Sequence, residues 1–359
     1  MKLFACTRCG NILHFENTSC ERCGCAVGFH VPTLELMTLI PHDRGEGLAE
    51  WSHPEGNAWT LCRNHSQGVC NWLVDASSAS GLCMACELNR YIPNIDSIEK
   101  REGWRSLEFA KHRLVYSLLR LKLPVQSKIH APSSGMVFDF IDTNQVVPAD
   151  AEHRTGHADG QITITLDEAD PVRREQTRVE MGERYRTLLG HLRHEVGHYY
   201  WDLLIYPHPE RLNRFRSLFG DESFPYAHAI QTYYQQGAPD GWNQSFVTRY
   251  ASSHPWEDWA ETWAHYLHLV DLMEMGSSLG MSLSPPLDRE DGGLSMAADL
   301  NPYVEMDMEA FLRKAQALAY GANSLNRCMG LPDLYPFLLT PVVKEKMSFV
   351  HQVIREQVS

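Results

Sequence analysis

Cysteine placement constrains the fold of this chain more than any other feature of its 359 residues. Nine of the ten cysteines lie before residue 90. Eight of them form two sets of four, which are Cys6, Cys9, Cys20 and Cys23, and Cys62, Cys70, Cys83 and Cys86. In a reducing compartment such sets are typical of zinc ligation rather than of disulfides. The N-terminal region is therefore expected to fold around metal ions.

The first set consists of two Cys-x-x-Cys pairs separated by ten residues. Each pair forms a tight knuckle that directs two thiolates at one ion, and two knuckles complete a closed tetrahedral site. Gly10 and Gly24 follow the second cysteine of each pair, where a knuckle favours a residue that tolerates positive φ. We predict a zinc ribbon over residues 1–35, with Cys25 as a bystander thiol.

The second set ends in one Cys-x-x-Cys pair, and its first two cysteines are spaced more widely. Four cysteines already saturate a tetrahedral zinc ion. Two alternatives stay open, because His65 could replace Cys62 or Cys70 in a mixed site, or one cysteine could be a plain core residue. We predict a second four-cysteine zinc module over residues 36–103.

The sequence after residue 103 is typical of a larger α+β domain. Apolar residues recur at helical spacing over 104–122, and the segments 135–142 and 160–170 alternate as half-buried strands do. Further helices are predicted from Pro171 to about Ile205 with a break near Gly182, from Pro255 to about Met275, over 303–319 and over 341–355. We predict a zincin-like catalytic domain over 104–275, and a C-terminal helical extension over 276–359 packed on it.

Charge and hydropathy narrow the class of function. The formal net charge of -13 repels polyphosphates, so nucleic acid is not an expected partner although zinc ribbons often bind it. The first residues lack the apolar run of a signal peptide, and the sequence contains no stretch of about 18 apolar residues. We therefore expect a cytoplasmic protein that does not interact with membranes.

The string His194-Glu195-Val196-Gly197-His198, an HExxH motif, carries the strongest catalytic signal. Residues four apart share a helix face, so both imidazoles can bind one zinc ion while Glu195 reaches the metal-bound water. Zinc lowers the pKa of that water, and the carboxylate accepts its proton during attack on a carbonyl and passes it to the leaving amine. The motif predicts hydrolysis of a peptide or isopeptide bond.

A catalytic zinc ion usually has a third protein ligand, and the segment HPWEDWAETWAHYLHLV offers Glu257 and Glu261 one turn apart. Pro255 suits a first helical position, which places Glu257 in the first turn, where the helix dipole favours a carboxylate. A solvated acidic stripe is the alternative, but three flanking tryptophans make this helix too apolar for a wholly exposed element.

Other residues near these motifs are expected to have packing or surface roles. They are His191, His265, His268, Trp256, Trp259 and Trp263. Asp202 follows His198 by one helical turn, and it either orients that imidazole or has no such role.

With these strings the chain resembles a bacterial family of zinc-ribbon-containing zinc-binding metallopeptidases. The resemblance spans nearly the whole chain, through CTRCG, VCNWLV, GQITITLDEAD, YRTLLGHLRHEVGHYYWD, YASSHPWEDWAETWAHYLH and NRCMGLPDLYPF. It implies a gluzincin-like peptidase whose natural substrate is generally unassigned.

The stretch YASSHPWEDWAE is also similar to one in anthrax lethal factor and related gluzincins. There a tyrosine precedes the zinc-ligating glutamate by seven residues, and that glutamate begins an ExxAE string. The match implies Glu257 as the third zinc ligand and Glu261 as a carboxylate that supports a ligand. It implies Tyr250 as the phenol that stabilises the tetrahedral oxyanion. The spacing from HExxH to the glutamate differs between the two groups.

Together these patterns predict one catalytic and two structural zinc ions, with a peptide or protein substrate in a cleft between the HExxH helix and an edge strand at 161–167. The N-terminal zinc modules would dock a partner or brace the catalytic domain. Two other classes of function stay open. One is a zinc-ribbon adaptor with an inactive or structural HExxH site, and the other is a zinc amidase that acts on a non-protein amide.

Overall fold

A computed structural model describes residues 1–39, 51–52, 58–143, 155–180, 185–286, 293–304 and 307–357. The helices are α1 Ile98–Arg120, α2 Pro171–Glu180, α3 Leu188–Leu204, α4 Pro209–Phe219, α5 Tyr226–Gln236, α6 Pro255–Ser278, α7 Met308–Cys328 and α8 Pro341–Arg355. The strands are β1 Phe4–Ala5, β2 Ile12–Leu13, β3 Val27–His30, β4 Glu35–Thr38, β5 Trp51–Ser52, β6 Ala58–Leu61, β7 Leu73–Asp75, β8 Asn89–Tyr91, β9 Val137–Ile141, β10 Gly156–Ala158, β11 Gln161–Thr165, β12 Ser282–Leu283 and β13 Met296–Ala297. The predicted mixture of helices and sheets is confirmed.

Short hairpins build the N-terminal region, and the turns of this region hold the cysteines. β1 pairs with β2, β3 pairs with β4, and β5, β6 and β7 form an antiparallel sheet. Gly10 and Gly24 have φ of 70° and 68°, and they donate their backbone N–H groups to the carbonyls of Cys6 and Cys20 at 2.9 and 2.8 Å. The positive φ predicted after each Cys-x-x-Cys pair is therefore confirmed.

A four-stranded sheet of order β10–β11–β9–β8 joins the N-terminal region to the rest of the chain. β8 begins shortly after the last cysteine of the second set and pairs in parallel with β9, which pairs in parallel with β11. Lys111 of α1 lies 5.9 and 5.4 Å from the rings of Phe138 and Phe140 in β9. Because α1 covers this strand and β8 and β11 flank it, all five residues of β9 are buried.

The prediction of an edge strand at 161–167 is wrong. Its strand, β11, lies inside the sheet because β10 pairs with it in antiparallel orientation. The chain reverses at Asp159 and Gly160, whose φ values of 48° and 72° suit a tight hairpin turn. β10 is therefore the edge of the sheet, and it is too short to show an alternating pattern in the sequence.

The predicted helices are present, α8 with the predicted bounds and several others with shifted ends. α1 begins before residue 104 because Ser97 caps it by accepting the Lys100 N–H at 3.2 Å. α7 begins after residue 303 because Asp307 accepts the Ala310 N–H at 3.0 Å. α2 and α3 are separate helices, and Gly182, where a break was predicted, lies outside the described residues. The helices α4 and α5 were not predicted.

Helices α3 and α6 pack closely against each other. Gly197 allows this approach, since a Cβ there would lie 3.0 Å from the Cα of Ala260. Trp259 Nε1 donates to the Gly197 carbonyl at 2.9 Å, and both Trp259 and Trp263 are fully buried. These two tryptophans belong to the core, as predicted. The glycine inside the HExxH string sets the distance between the two helices.

The C-terminal helices α7 and α8 pack on α6. Lys346 of α8 forms a buried ion pair with Asp258 at 2.5 Å, and the Tyr266 hydroxyl lies 2.9 Å from His351 Nδ1. The segment after α6 therefore continues the core of the larger region. Among the helices of the described ranges, none is long and apolar enough to cross a membrane.

Candidate metal centre

Helix α3 brings two imidazoles to one position. Thr187 caps the helix by accepting the Gly190 N–H at 3.0 Å. The helix therefore begins more than one turn before His194. His194 and His198 lie four residues apart on one face. Their ring centroids are 4.9 Å apart and their Nε2 atoms are 3.2 Å apart. Two ring nitrogens this close can share one metal ion.

Helix α6 brings Glu257 to the two imidazoles. Pro255 begins this helix, and Glu257 lies in its first turn, as predicted. The Oε2 atom of Glu257 lies 3.0 Å from His194 Nε2 and 3.5 Å from His198 Nε2. The donor atoms of the three side chains all lie within 4.8 Å of one another, and all three residues are buried.

The donors of this cluster fit a zinc ion. Glu257 Oε2 is a buried oxygen without a hydrogen-bond donor in the described structure. Burial raises the pKa of Glu257, but His198 and His194 hold it well below its usual value, so the carboxylate is charged. A buried charge of this kind is costly unless a cation faces it. Two imidazoles and a carboxylate are a common catalytic zinc set that leaves a fourth position open.

Glu261 lies one turn further along α6 and contacts His194 on the side away from the cluster. His194 Nδ1 donates a hydrogen bond to Glu261 Oε1 at 2.7 Å. In the neutral ring this leaves Nε2 free of hydrogen and able to bind a metal. Glu261 therefore lies beside the ligand cluster rather than in it.

Asp202 does not supply the equivalent contact to His198. His198 Nδ1 is buried without a hydrogen-bond partner among the described residues. Burial raises the pKa of Asp202 to about 6, although the nearby His198 lowers it. Of the two roles considered for Asp202, the orienting one has no hydrogen bond to support it.

Glu195 lies between the ligand cluster and His191. Its Oε1 is 3.3 Å from His191 Nε2, and His191 Nδ1 is 3.5 Å from Glu168 Oε2. Burial raises the pKa of Glu195, but His191 and His194 lower it below its usual value, so the carboxylate is charged. His191, for which a packing or surface role was expected, contacts the candidate general base.

Two tyrosines flank the cluster. The Tyr250 ring lies 5.9 Å from the His194 ring, and the Tyr226 hydroxyl donates to Glu257 Oε1 at 2.7 Å. Burial and the charge of Glu257 raise the pKa of both hydroxyls far above the usual value. Both therefore stay protonated and able to donate hydrogen bonds.

A cavity of about 650 Å³ opens beside the cluster. Its lining includes His194, Glu195 and Tyr250. Aromatic side chains form much of the remaining wall, namely Tyr185, Tyr233, Tyr234, Trp242 and Phe337. His194 and the candidate base Glu195 therefore face a space that can admit an extended molecule.

His265 and His268 line the same cavity but have partners of their own. His265 Nδ1 lies 2.9 Å from the Tyr335 hydroxyl, and His268 Nδ1 lies 2.5 Å from Arg193 Nη1. Burial lowers the pKa of His265 to about 4, so this ring stays neutral. The structure thus gives both histidines packing contacts, in line with the prediction.

The first cysteine set forms a four-sulfur cluster, in which the Sγ atoms of Cys6 and Cys23 are 3.7 Å apart and those of Cys9 and Cys20 are 3.6 Å apart. The spare thiol, Cys25, lies outside this cluster and accepts a hydrogen bond from Arg8 at 2.8 Å. The set can bind one ion without it.

The second cysteine set also forms a cluster, and all four of its residues are buried. The Sγ atoms of Cys70 and Cys83 are 3.7 Å apart. His65 Nδ1 contacts the Cys70 carbonyl at 2.9 Å, so this histidine supports the loop and is not in the cluster. His112 of α1 places its Nε2 3.3 Å from Cys70 Sγ, which joins the cluster to the larger region.

Three residues of the centre were not predicted from the sequence. They are Tyr226, Glu168 and His157, whose ring stacks on that of His198 at 6.1 Å. Tyr226 and His157 belong to no motif, Glu168 lies in the string GQITITLDEAD without having been singled out, and each reaches the centre only through the fold. The one local signal is Pro225 before α5, a helix-start residue that could have located Tyr226.

Two family models match the chain. Residues 100–353 match a family described as "Putative zinc-binding metallo-peptidase", and residues 3–97 match a zinc-ribbon domain. An uncharacterised protein of Mycobacterium tuberculosis and one of Mycobacterium bovis are each 38% identical over 357 residues, which cover 99% of this chain and 96% of theirs. No solved structure matches.

Proposed function

Because the chain belongs to the zinc-binding metallopeptidase family, we propose that it hydrolyses peptide or isopeptide bonds at the cluster on α3 and α6. His194, His198 and Glu257 would hold the zinc ion. A zinc ion bound there supplies a Lewis acid that polarises a carbonyl group and makes water more acidic. The chain's own side chains supply the proton transfer and the hydrogen bonds.

Glu195 is proposed as the general base. It follows the ligand His194 directly, lines the cavity and carries a charged carboxylate. The carboxylate would accept a proton from water as the water oxygen attacks the substrate carbonyl carbon. It would then give that proton to the nitrogen of the leaving amine as the carbon–nitrogen bond breaks.

Tyr250 is proposed to donate a hydrogen bond to the oxygen of the attacked carbonyl, where negative charge develops. The protonated hydroxyl and the position beside His194 support this role. Glu261 would hold His194 in the tautomer that binds zinc, through the bond to Nδ1.

We propose an extended peptide or protein segment as the substrate. β10 is the sheet edge close to the cluster, since His157 stacks on His198. An edge strand can pair with an extended peptide through main-chain hydrogen bonds. Thr155, which precedes β10, lines the cavity and supports this path. The net charge of -13 continues to disfavour nucleic acid as a partner.

Two structural zinc ions are proposed at the cysteine clusters. Four thiolates fill a tetrahedral zinc ion and leave no position for a substrate. For the second cluster we favour a bracing role over partner docking, because Cys70 is buried and lies against His112 of α1.

One observation carries the proposed activity. Three buried donor atoms converge beside a cavity that His194 and Glu195 line, and one of the three is a carboxylate oxygen without a hydrogen bond in the described structure. The test is to incubate the purified, zinc-loaded chain with a peptide library and to identify products by mass spectrometry. Glu195→Gln should keep its zinc and fold but lose about 10²- to 10⁴-fold in turnover, because an amide cannot accept the proton.

Glu175→Gln is the matched control, since Glu175 is an exposed glutamate that pairs with Arg178 on α2. It should cleave like the wild type. Equal activity of Glu195→Gln and the wild type would overturn the mechanism. Two zinc ions per chain instead of three, with no cleavage, would favour the adaptor class. Cleavage of a non-protein amide but of no peptide would favour the amidase class.

A further inference from the structure

His191 bridges two carboxylates at the cavity wall, and the reaction proposed above gives it no role. Its Nε2 faces Glu195 Oε1 at 3.3 Å and its Nδ1 faces Glu168 Oε2 at 3.5 Å. Both contacts are attractive only when each ring nitrogen carries a hydrogen. Two largely buried carboxylates on either side of one imidazole are costly unless a positive charge faces them, and a ring with a hydrogen on each nitrogen supplies that charge.

The Glu168 carboxylate is held in place by a hydrogen bond on the side that faces away from His191. Arg186 donates to Glu168 Oε1 at 2.6 Å, and both side chains are only 13% exposed. Arg174 donates to the Glu168 backbone carbonyl at 2.7 Å, which ties down the turn that carries it. The order Glu195, His191, Glu168, Arg186 therefore alternates in charge, and all four residues line the cavity.

We propose that His191 is a positioning residue that orients the general base by donating a hydrogen bond to Glu195 Oε1. This inference rests on the proposed role of Glu195. Glu168, which Arg186 holds in place, lies 3.5 Å from the other ring nitrogen and attracts the imidazole by its charge. One Glu195 oxygen is then occupied, and the other is free to accept a proton. Although burial lowers the pKa of His191, the contacts with Glu168 and Glu195 raise it to about 9, which supports a charged ring.

The test compares His191→Leu, which removes both donors, with His191→Gln, whose amide can still donate to Glu195. His130→Leu is the control, because His130 is exposed and does not line the cavity of the cluster. The measurements are kcat and KM on a peptide that the wild type cleaves, together with zinc content. His191→Leu should lower kcat by about 10- to 100-fold with unchanged KM and zinc, and His191→Gln should recover most of the loss.

The second measurement does not depend on turnover. It is the affinity of the zinc-loaded chain for a peptide hydroxamate, a zinc-binding group that also donates a hydrogen bond to the general base. Affinity should fall by about 10-fold in both His191→Leu and Glu195→Gln and stay unchanged in His130→Leu, as expected when a neighbour of a ligand-binding group is removed.

Three results would overturn the role of His191. The first is wild-type kcat and hydroxamate affinity in His191→Leu. The second is a raised KM at constant kcat, which would make His191 a substrate-binding residue. The third is loss of zinc or folding in His191→Leu without recovery in His191→Gln. If the wild type cleaves no peptide, the proposed function fails, and the hydroxamate series still decides the role of His191.

Discussion

The cysteine clusters and the cluster on α3 and α6 differ in donor number and in surroundings. Each cysteine cluster has four sulfur donors, whereas the other has two imidazoles, one carboxylate and an open cavity of about 650 Å³. Thiolates are supported by backbone groups, as when Cys83 N–H donates to Cys62 Sγ at 3.3 Å. Charged carboxylates and tyrosine hydroxyls surround the open cluster instead. A metal site with an open position beside titratable side chains is typical of a catalytic site, and a site with four protein ligands is typical of a structural one.

The two cysteine clusters also differ from each other. In the first, Cys9 and Cys23 are partly exposed, whereas all four sulfur donors of the second are buried. The second cluster touches α1 through His112, and the strand that follows it belongs to the central sheet. The hairpins of the first cluster also contact α1, since the rings of Phe15 and Tyr116 are 5.3 Å apart. We therefore expect the second cluster to stabilise the whole chain and the first to stabilise it less.

The largest effect is expected when a cysteine of the second cluster is replaced. Cys83→Ser should lose one zinc ion and greatly lower the melting temperature of the whole chain, because metal-binding energy of about 10 to 16 kcal/mol is folding energy in such sites. Cys20→Ser should lose one zinc ion with a smaller fall in melting temperature, while the larger region keeps its zinc. Metal analysis and thermal unfolding measure both. Equal falls in melting temperature would contradict the distinction between the two clusters.

The next effect concerns zinc retention at the open cluster. Glu257→Ala should release this zinc under mild chelation, because the variant removes a donor atom from the cluster. Glu261→Ala should keep it with an affinity about 10- to 100-fold lower, because only the hydrogen bond to His194 Nδ1 is lost. A graded chelator series with metal analysis compares the two variants. If Glu261→Ala lost zinc more readily, the ligand would be Glu261 instead.

Tyr250→Phe is expected to affect turnover and not the metal. The hydroxyl donates only as charge develops on the carbonyl oxygen, so kcat should fall by about 10²- to 10³-fold with little change in KM. Steady-state kinetics on a cleaved peptide give both constants. A rise in KM at constant kcat would mean that Tyr250 binds the substrate and has no role in the transition state.

The smallest effect is expected from Tyr226→Phe. This change removes the hydrogen bond to Glu257 Oε1 and leaves the three donors in place. Zinc affinity should fall by about 10-fold, at the lower end of the range for groups that orient a ligand. Tyr206→Phe is the control, since Tyr206 is 63% exposed. Competition with a fluorescent chelator measures the zinc affinities. Identical affinities in Tyr226→Phe and Tyr206→Phe would mean that Tyr226 does not support the zinc ligand Glu257.

Sequence patterns were sufficient where one helical turn or one knuckle determines the geometry. His194 and His198 meet because they share a helix face, and the first-turn position of Glu257 follows from Pro255. Such patterns could not predict contacts between residues that are far apart in the sequence. Tyr226 and Glu257 are 31 residues apart and meet only because α5 returns to the start of α6.

The sheet edge and the contacts of His191 were missed for related reasons. An alternating pattern shows that β11 is a strand, but it contains no information about the strand beside it. His191 shares a helix with the HExxH motif, yet its partner Glu168 comes from the turn Leu166–Ala169 after β11. Without the path of the chain between them, a surface role was the reasonable expectation.

The pairing of β8 with β9 limits which recombination events a gene for this protein can tolerate. β8 is the last strand of the N-terminal region and forms one edge of the sheet whose other edge is β10. A recombination event that replaced everything before α1 would remove a strand from the sheet and uncover the edge of β9, which invites aggregation. The zinc-ribbon region and the region that matches the metallopeptidase family are therefore expected to be inherited together, and not exchanged separately.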